Sequence, residues 1–149
     1  MSLSLERRRR WMGVLAKAAP DELRRTATAA GPLPDYVLLR RPETGLIQVR
    51  GRAGGGGAPF NLGEMTVTRC SVRLSDGTVG HAWVAGRDGR HSELAAVIDA
   101  MLQDPHRGTA LEAAVIAPLE QARRDRAAAM SRKAAATRVD FFTLVRGED

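Results

Sequence analysis

The sequence predicts an α+β domain, in which a mostly antiparallel sheet of about four strands carries helices on one face. Three observations support this class. Short β-rich segments cluster between Tyr36 and Gly86, with helical patterns on both sides of the cluster. The dipeptide Asp76-Gly77 stands between two of those segments, as in a tight hairpin. After "GRD" the spacing of apolar residues changes from two to about 3.6, which indicates that a helix follows the hairpin.

Two helices are predicted before the sheet, over residues 5–18 and 21–30, with a break near Pro20 and a stop at "GPLP". The first begins with "ERRRRWMGVLAKAA", which is similar to a signal peptide in its basic run and its A-x-A triplet. Its apolar stretch is short and ends at Lys17, so we interpret it as an amphipathic helix. No stretch of the sequence is long enough for a membrane span.

Four β-rich segments follow: "YVLLRR", ended by Pro42, then "GLIQVRGRA", "MTVTRCSVRLS" and "TVGHAWVAG". A two-residue turn at Asp76-Gly77 sets Ser75 opposite Thr78 and therefore pairs Cys70 with Trp83. In that register the core face of the hairpin carries Leu74 with Val79, Val72 with His81, and Cys70 with Trp83.

The opposite face of this predicted sheet is strongly basic. Alternation in the hairpin places Arg69 and Arg73 on that face, over small neighbours. Alternation in "GLIQVRGRA" groups Arg50 and Arg52 away from its apolar residues. We therefore predict that Arg50, Arg52, Arg69 and Arg73 line one sheet face and contact a phosphorylated ligand or a partner protein, although a solvated surface is an equally good interpretation.

Helices are predicted again after the hairpin. An apolar stripe from Leu94 to Leu102 indicates a helix over residues 90–103, with Asp88 capping its start. A second helical stretch starts near Thr109, and Pro118 should break or kink it. Its alanine-rich, basic continuation has almost no large apolar face, so we predict an arm that projects from the domain.

The last twelve residues, "RVDFFTLVRGED", are unusually apolar for a chain end. Since the preceding helix is too polar to hold them in the domain core, we predict that they dock into a partner, with docking onto the chain's own sheet as the alternative. The predicted organisation is a single domain over residues 1–149, with 119–149 as a helical arm and terminal docking segment. The predicted docking residues are Val139, Phe141, Phe142 and Leu144.

The sequence carries no recognisable catalytic or metal-binding motif. "GRAGGGG" lacks the G-K-[ST] of a phosphate-binding loop and is interpreted as a loop that joins strands, with phosphate binding as the minor alternative. "HSE" is similar to the H-x-E of zinc deaminases, but the single Cys70 cannot complete such a site. His81 is assigned to the core, and His91 and His106 to helix ends or a loop. We predict no catalytic residue and no metal.

Composition restricts the kind of partner. The formal net charge of +6 and a pI near 10.8 favour an anionic partner. One cysteine excludes an internal disulfide and is typical of a cytoplasmic protein. A nucleic-acid-binding module is one alternative, but aromatics are only 4% of the chain and nucleic-acid-binding signatures are absent. A stand-alone phosphotransfer or hydrolytic enzyme is another, and it lacks a recognisable base or nucleophile.

Four segments spread along the chain together resemble one known family. They are "RRWMGVLAKA", "RPETGLIQVRGRAGGGGAPFNLGEMTVTRC", "GHAWVAGRDGRHSELAAVIDAMLQ" and "RVDFFTLVRGED". In combination they are similar to the PhnG family, the small subunit of the bacterial carbon-phosphorus lyase core complex. The likeness runs almost end to end, and the family's usual "HAE" after "GRD" is "HSE" here.

The resemblance implies a function that the residues alone do not. Proteins of this family form a cytoplasmic complex of four different subunits, which degrades organic phosphonates when phosphate is short. With an ATP-cassette-type protein, the complex displaces adenine from ATP by methylphosphonate. The implied partners are a nucleosidase subunit, a radical S-adenosylmethionine subunit and a third core subunit, with no nucleic acid and no membrane. The implied role of this chain is required but non-catalytic, with no cofactor of its own and ATP used by the complex.

Overall fold

The computed structural model describes residues 5–136, and they form the α+β architecture that the sequence predicts. Two helices, α1 (Leu5–Lys17) and α2 (Pro20–Ala30), precede three strands, β1 (Tyr36–Arg52), β2 (Pro59–Leu74) and β3 (Val79–Ala85). The strands form one antiparallel sheet in the order β1-β2-β3. Three helices follow: α3 (Gly89–Leu102), the short α4 (Gly108–Leu111) and α5 (Ala117–Ala136), with a π-helical turn at Glu112–Ile116 before α5.

The described sheet has three strands rather than about four because the first two predicted strands are one. β1 runs through Pro42, and its pairing with β2 shifts at two irregularities between Leu38 and Glu43. Proline lacks the N–H that an inner strand donates to a neighbour, so it is tolerated mainly on edge strands and at bulges. β1 lies at the edge of the sheet, which explains why Pro42 does not end it.

The hairpin between β2 and β3 is confirmed, but its predicted register is wrong by one residue. Leu74 donates its N–H to the carbonyl of Thr78 at 2.9 Å, so Ser75 to Gly77 form a three-residue loop. Gly77 has a φ of 90°, which suits the last position of such a loop. Cys70 therefore pairs with Ala82, not with Trp83.

This one-residue shift exchanges the two faces of β3. Gly80, Ala82 and Val84 face the core, whereas His81 and Trp83, both predicted to be in the core, are exposed on the other side. We call that other side, which carries Arg69, Ser71, Arg73, His81 and Trp83, the open face.

The helices cover only the side of the sheet opposite the open face, and the core lies between the two layers. The narrowest contact is at Gly80, where a Cβ would lie 2.0 Å from the carbonyl oxygen of Ala96 and 2.7 Å from the amide nitrogen of Ala100. Small residues on β3 thus let α3 approach the strand closely. The largest fully buried apolar side chains are Trp11, Leu15, Leu23, Val72, Val97, Ile98, Leu102, Val115, Ile116 and Leu119.

The start of α3 and the start of α5 each depend on a local feature of the sequence. Asp88 accepts a hydrogen bond from the amide of His91 at 2.9 Å, which confirms the predicted cap of α3. The His91 ring is buried and contacts the carbonyl of Leu15 through Nε2 at 2.7 Å, so it joins α3 to α1. The turn that precedes Pro118 has π-helical hydrogen bonding, and the helix continues through this proline instead of breaking.

Beyond Leu119, α5 has no buried residue in the described part of the chain. An ion pair between Arg126 and Glu22 still joins it to α2. The predicted docking residues Val139, Phe141, Phe142 and Leu144 lie outside the described residues. Within residues 5–136, no helix is both long and apolar enough to cross a membrane.

Candidate partner-binding surface

The far half of the β1–β2 hairpin extends beyond the rest of the domain. β3 pairs only with residues 67–73 of β2, so residues 46–52 of β1 and 59–66 of β2 continue as two strands alone. We call these two segments the ribbon. At about 3.3 Å per residue its length is about 23 Å, and the glycine-rich loop that follows Arg52 joins its strands at the tip.

The ribbon exposes large apolar side chains to solvent. Leu46 is 64% exposed, Leu62 65%, Phe60 45% and Met65 41%. Isolated exposed apolar residues are common on proteins, but a group of four on a projecting two-stranded element is typical of a protein-binding surface. A two-stranded ribbon is also only marginally stable in water by itself, so contact with a partner would stabilise it.

The four arginines predicted on one sheet face are divided between two faces. Arg69 and Arg73 lie on the open face, where they pair with Glu43 and Val37 of β1. By strand alternation, Arg50 and Arg52 lie on the opposite side, continuous with Thr44, which pairs with the buried Thr68. The prediction of one basic face is therefore wrong, because the ribbon leaves the helical layer and its apolar residues do not mark the core side.

Arg69 lies in a compact charged cluster. Its Nη2 and Nε atoms are 3.0 and 3.1 Å from Oε2 of Glu43, and the same oxygen accepts a hydrogen bond from Arg40 at 2.7 Å. The Arg69 guanidinium also lies over the ring of Trp83, 5.4 Å from its centre. The hydrogen bond from Arg40 and the one from Arg69 lower the pKa of Glu43. Arg69 is thus already paired, whereas Arg50 and Arg73 are exposed.

Arg52 has a local structural role. Its Nη1 donates to the carbonyl of Gly57 at 3.1 Å, across the loop that closes the ribbon. The guanidinium therefore helps to order the tip. The remaining exposed arginine of the ribbon, Arg50, is directed away from the open face and is available for contact with another molecule.

The described residues hold one pair that is similar to a nucleophile and its base. Ser71 Oγ and His81 Nδ1 are 2.9 Å apart on the open face. A nucleophilic serine also needs an orienting group on the histidine and donors for the developing oxyanion. In residues 5–136 no carboxylate hydrogen-bonds the other ring nitrogen of His81, and this pair lies on an exposed face. We assign it a role in strand pairing.

Metal binding is also unsupported within residues 5–136, where no group of three or more His, Cys, Asp or Glu side chains converges. A cavity of about 690 Å³ lies between the linker after α2, the β2–β3 loop and the end of α3. Its lining combines apolar residues, including Leu33, Leu74 and Met101, with the polar or charged Ser75, Asp76, Asp104, His106 and Arg107.

Sequence reasoning misses the most informative side chains of this surface. It assigns Trp83 to the core because a tryptophan in an alternating strand usually faces inward. The exposed Leu62 and Met65 look, in the sequence, like ordinary strand residues. The one feature of the sequence that allows the observed hairpin register is "SDG". Its glycine follows two turn residues, so it fits a three-residue loop as well as a two-residue one.

Comparison with known proteins places these features in context. Residues 6–147 match the family model described as phosphonate metabolism protein PhnG. A curated relative from Rhizobium meliloti (strain 1021), named alpha-D-ribose 1-methylphosphonate 5-triphosphate synthase subunit PhnG, is 49% identical over 145 residues. The alignment covers 95% of this chain and 90% of the relative.

Proposed function

Because the chain belongs to the PhnG family of phosphonate metabolism proteins, we propose that it is a required, non-catalytic subunit of the carbon-phosphorus lyase core complex. In that role it supports the transfer of methylphosphonate to the ribose C1 of ATP, with release of adenine. The expected location is the cytoplasm. ATP is used by the complex, and this chain holds no cofactor.

The observation that carries the proposal is the extent of the relationship. Identity of 49% over 95% of this chain and 90% of the relative leaves little sequence in which the two could differ in fold or in organisation. The relative's name describes it as a subunit of a synthase. The exposed ribbon supports the same role here, because a subunit needs apolar surface that a partner can cover.

The proposed partners are a nucleosidase subunit, a radical S-adenosylmethionine subunit, a third core subunit and an ATP-cassette-type protein. Within that assembly, we assign the contacts to three parts of the chain. The ribbon presents its apolar side chains, Arg50, Arg52, Arg69 and Arg73 supply positive charge, and Val139, Phe141, Phe142 and Leu144 dock into another subunit. A buried phenylalanine contributes about 1.5 to 3 kcal/mol, so the two phenylalanines would add substantially to assembly.

Reconstitution from purified subunits tests the proposal. The complete complex with its ATP-cassette-type protein should release adenine from ATP in the presence of methylphosphonate, and the complex prepared without this chain should not. The chain alone should release none. Full adenine release without this chain would refute a required role, and release by the chain alone would refute a non-catalytic one.

Two variants test the assigned contacts. Deletion of residues 138–149 should leave a folded, soluble chain that no longer co-purifies with the other subunits, whereas an unfolded product would favour docking of the tail on its own domain. Arg50→Ala combined with Arg69→Ala should weaken assembly without loss of fold. The matched control is Arg24→Ala with Arg25→Ala on α2, remote from the ribbon. Equal assembly and equal adenine release by the two double variants would contradict the role of the ribbon and open-face arginines.

A further inference from the structure

The edge of β3 that faces away from β2 presents backbone hydrogen-bonding groups. Thr78 and Gly86, which flank the strand, bond to Leu74 and Thr66 of β2, both at 2.9 Å. Antiparallel strands alternate, so the even-numbered residues of β3 bond to β2 and the odd-numbered ones direct N–H and C=O outward. The outward groups therefore belong to Val79, His81, Trp83 and Ala85.

The first half of this edge is already covered by other elements. The carbonyl of Val79 accepts hydrogen bonds from Gln103 at 2.8 Å and from Arg8 at 3.4 Å. The amide of His81 donates to Asp99 at 2.9 Å. For Trp83 and Ala85, by contrast, residues 5–136 provide no hydrogen-bond partner to the outward groups. A short stretch of strand edge is thus open to another strand.

A cavity of about 230 Å³ adjoins this open stretch, between α1 and β3. Small residues line much of it, namely Gly13 and Ala16 of α1, Ala82 of β3 and Ala95 of α3. Met12, Leu15, His81 and Trp83 complete the wall. A groove between a helix and a strand edge accommodates an extended peptide, because main-chain hydrogen bonds hold the peptide while a pocket accepts every second side chain.

Packing within the chain does not explain the glycine in this groove. Gly13 lies in the middle of α1, where glycine is less favourable than alanine. A Cβ at this position would have no neighbour within 4 Å. A larger residue would fit the fold and would fill the cavity, so the effect of Gly13 is to keep the groove open.

The charges beside the groove indicate what kind of segment would bind. Arg9 and Lys17 are four residues before and after Gly13, so they lie on the same side of α1, one turn to each side of it. Both are exposed. Positive charge at these two positions favours a segment with acidic residues.

From this geometry we propose that an extended, acidic segment of another subunit of the synthase complex adds to the edge of β3 at Trp83 and Ala85. A small apolar side chain of that segment occupies the cavity beside Gly13, and its carboxylates lie opposite Arg9 and Lys17. The inference rests on the proposed function, since the segment belongs to a partner of the same complex.

The first test fills the groove. Gly13→Gln should raise the apparent dissociation constant for assembly with the purified core subunits at least tenfold, while its melting temperature equals or exceeds that of the wild type. Ala128→Gln, at an exposed position of α5, is the matched control and should assemble like the wild type. Wild-type assembly by Gly13→Gln would overturn the inference. If the wild type itself fails to assemble, the proposed function fails instead.

The second test locates the contact by hydrogen–deuterium exchange of the full chain, alone and in the assembled complex. The amides of Trp83 and Ala85 should exchange at least tenfold more slowly in the complex only. Unchanged exchange there would overturn the inference. Protection in the isolated chain that rises with concentration would assign the groove to a second copy, and protection lost on deletion of residues 138–149 would assign it to the chain's own tail. Either result would also overturn the proposal.

Discussion

Replacement of Asp99 by asparagine should destabilise the domain more than any exposed charge change. The Asp99 side chain is fully buried and holds three elements together. Oδ2 is 2.7 Å from Arg8 Nη2 and accepts the amide of His81 at 2.9 Å. Oδ1 accepts the indole N–H of Trp11 at 2.8 Å and Arg8 Nε at 3.2 Å. One carboxylate therefore joins α1, α3 and the edge of β3.

The expected magnitude follows from the groups left without an acceptor. The asparagine side chain would keep one oxygen, and its amide nitrogen, itself a donor, would face other donors. Removal of one partner of a buried ion pair costs about 3 to 5 kcal/mol. The Arg8 side chain is 26% exposed, so water offsets part of that cost, and we expect about 3 kcal/mol. For a chain of this length that lowers the melting temperature by about 6 to 12 °C.

The assay is thermal unfolding by circular dichroism, with Asp21→Asn as the control. Asp21 pairs with Arg24 three residues along α2, and both side chains are more than half exposed. Such a pair contributes about 0.5 kcal/mol or less, so the control should melt within about 2 °C of the wild type. A melting temperature for Asp99→Asn within about 2 °C of the control would refute the reasoning, since it would mean that the buried carboxylate is not needed.

Three further predictions concern the core and its edges. Gly80→Ala should lower the free energy of unfolding by about 3 kcal/mol or more, because the added Cβ meets backbone atoms of α3. Urea unfolding measures this change. The control Gly45→Ala, whose Cβ has no neighbour within 4 Å, should leave the unfolding midpoint unchanged. Tyr36, the single tyrosine, donates to Glu93 at 2.6 Å, and this hydrogen bond raises its pKa to about 12. Its absorbance titration should therefore have a midpoint near pH 12, and Glu93→Gln should lower that midpoint. Because the folded pKa is the higher one, this contribution to stability is complete below about pH 10 and is lost as the pH rises from about 10 to about 12. Burial raises the pKa of the Cys70 thiol to about 11. At about pH 8, an uncharged alkylating reagent should therefore react about 100-fold more slowly with the folded chain than with the chain in urea. Equal rates would contradict the burial of this thiol.

The ribbon and the β3 groove present different chemistry to a partner. The ribbon exposes large apolar side chains and contacts a partner through its surface, whereas the groove has unpaired main-chain groups and a pocket of limited size. If both are used, the domain contacts its partners at two separate places on the sheet. Removal of one contact should then weaken assembly without abolishing it, since linked contacts assist each other.

The sequence by itself determined the fold class, the helices and the existence of the hairpin. These features depend on local chemistry. The apolar stripe from Leu94 to Leu102 and the carboxylate of Asp88 define α3 within one residue of its predicted limits. The alternation on both sides of Asp76-Gly77 is sufficient for an antiparallel pair. The weak apolar face of the last helix is consistent with the absence of buried residues in the described part of α5 beyond Leu119.

Tertiary structure decided the register, the arrangement of the arginines and the position of the open edge. Two-residue and three-residue loops fit "SDG" almost equally well, so the choice depended on what packs against β3. At Gly80 an added Cβ would overlap backbone atoms of α3, so the even-numbered residues of β3 face this helix and Trp83 lies on the other face. β1 tolerates Pro42 because it is an edge strand, which no local pattern shows. Such facts depend on which elements meet, and contacts between residues far apart in sequence are not encoded in any short segment.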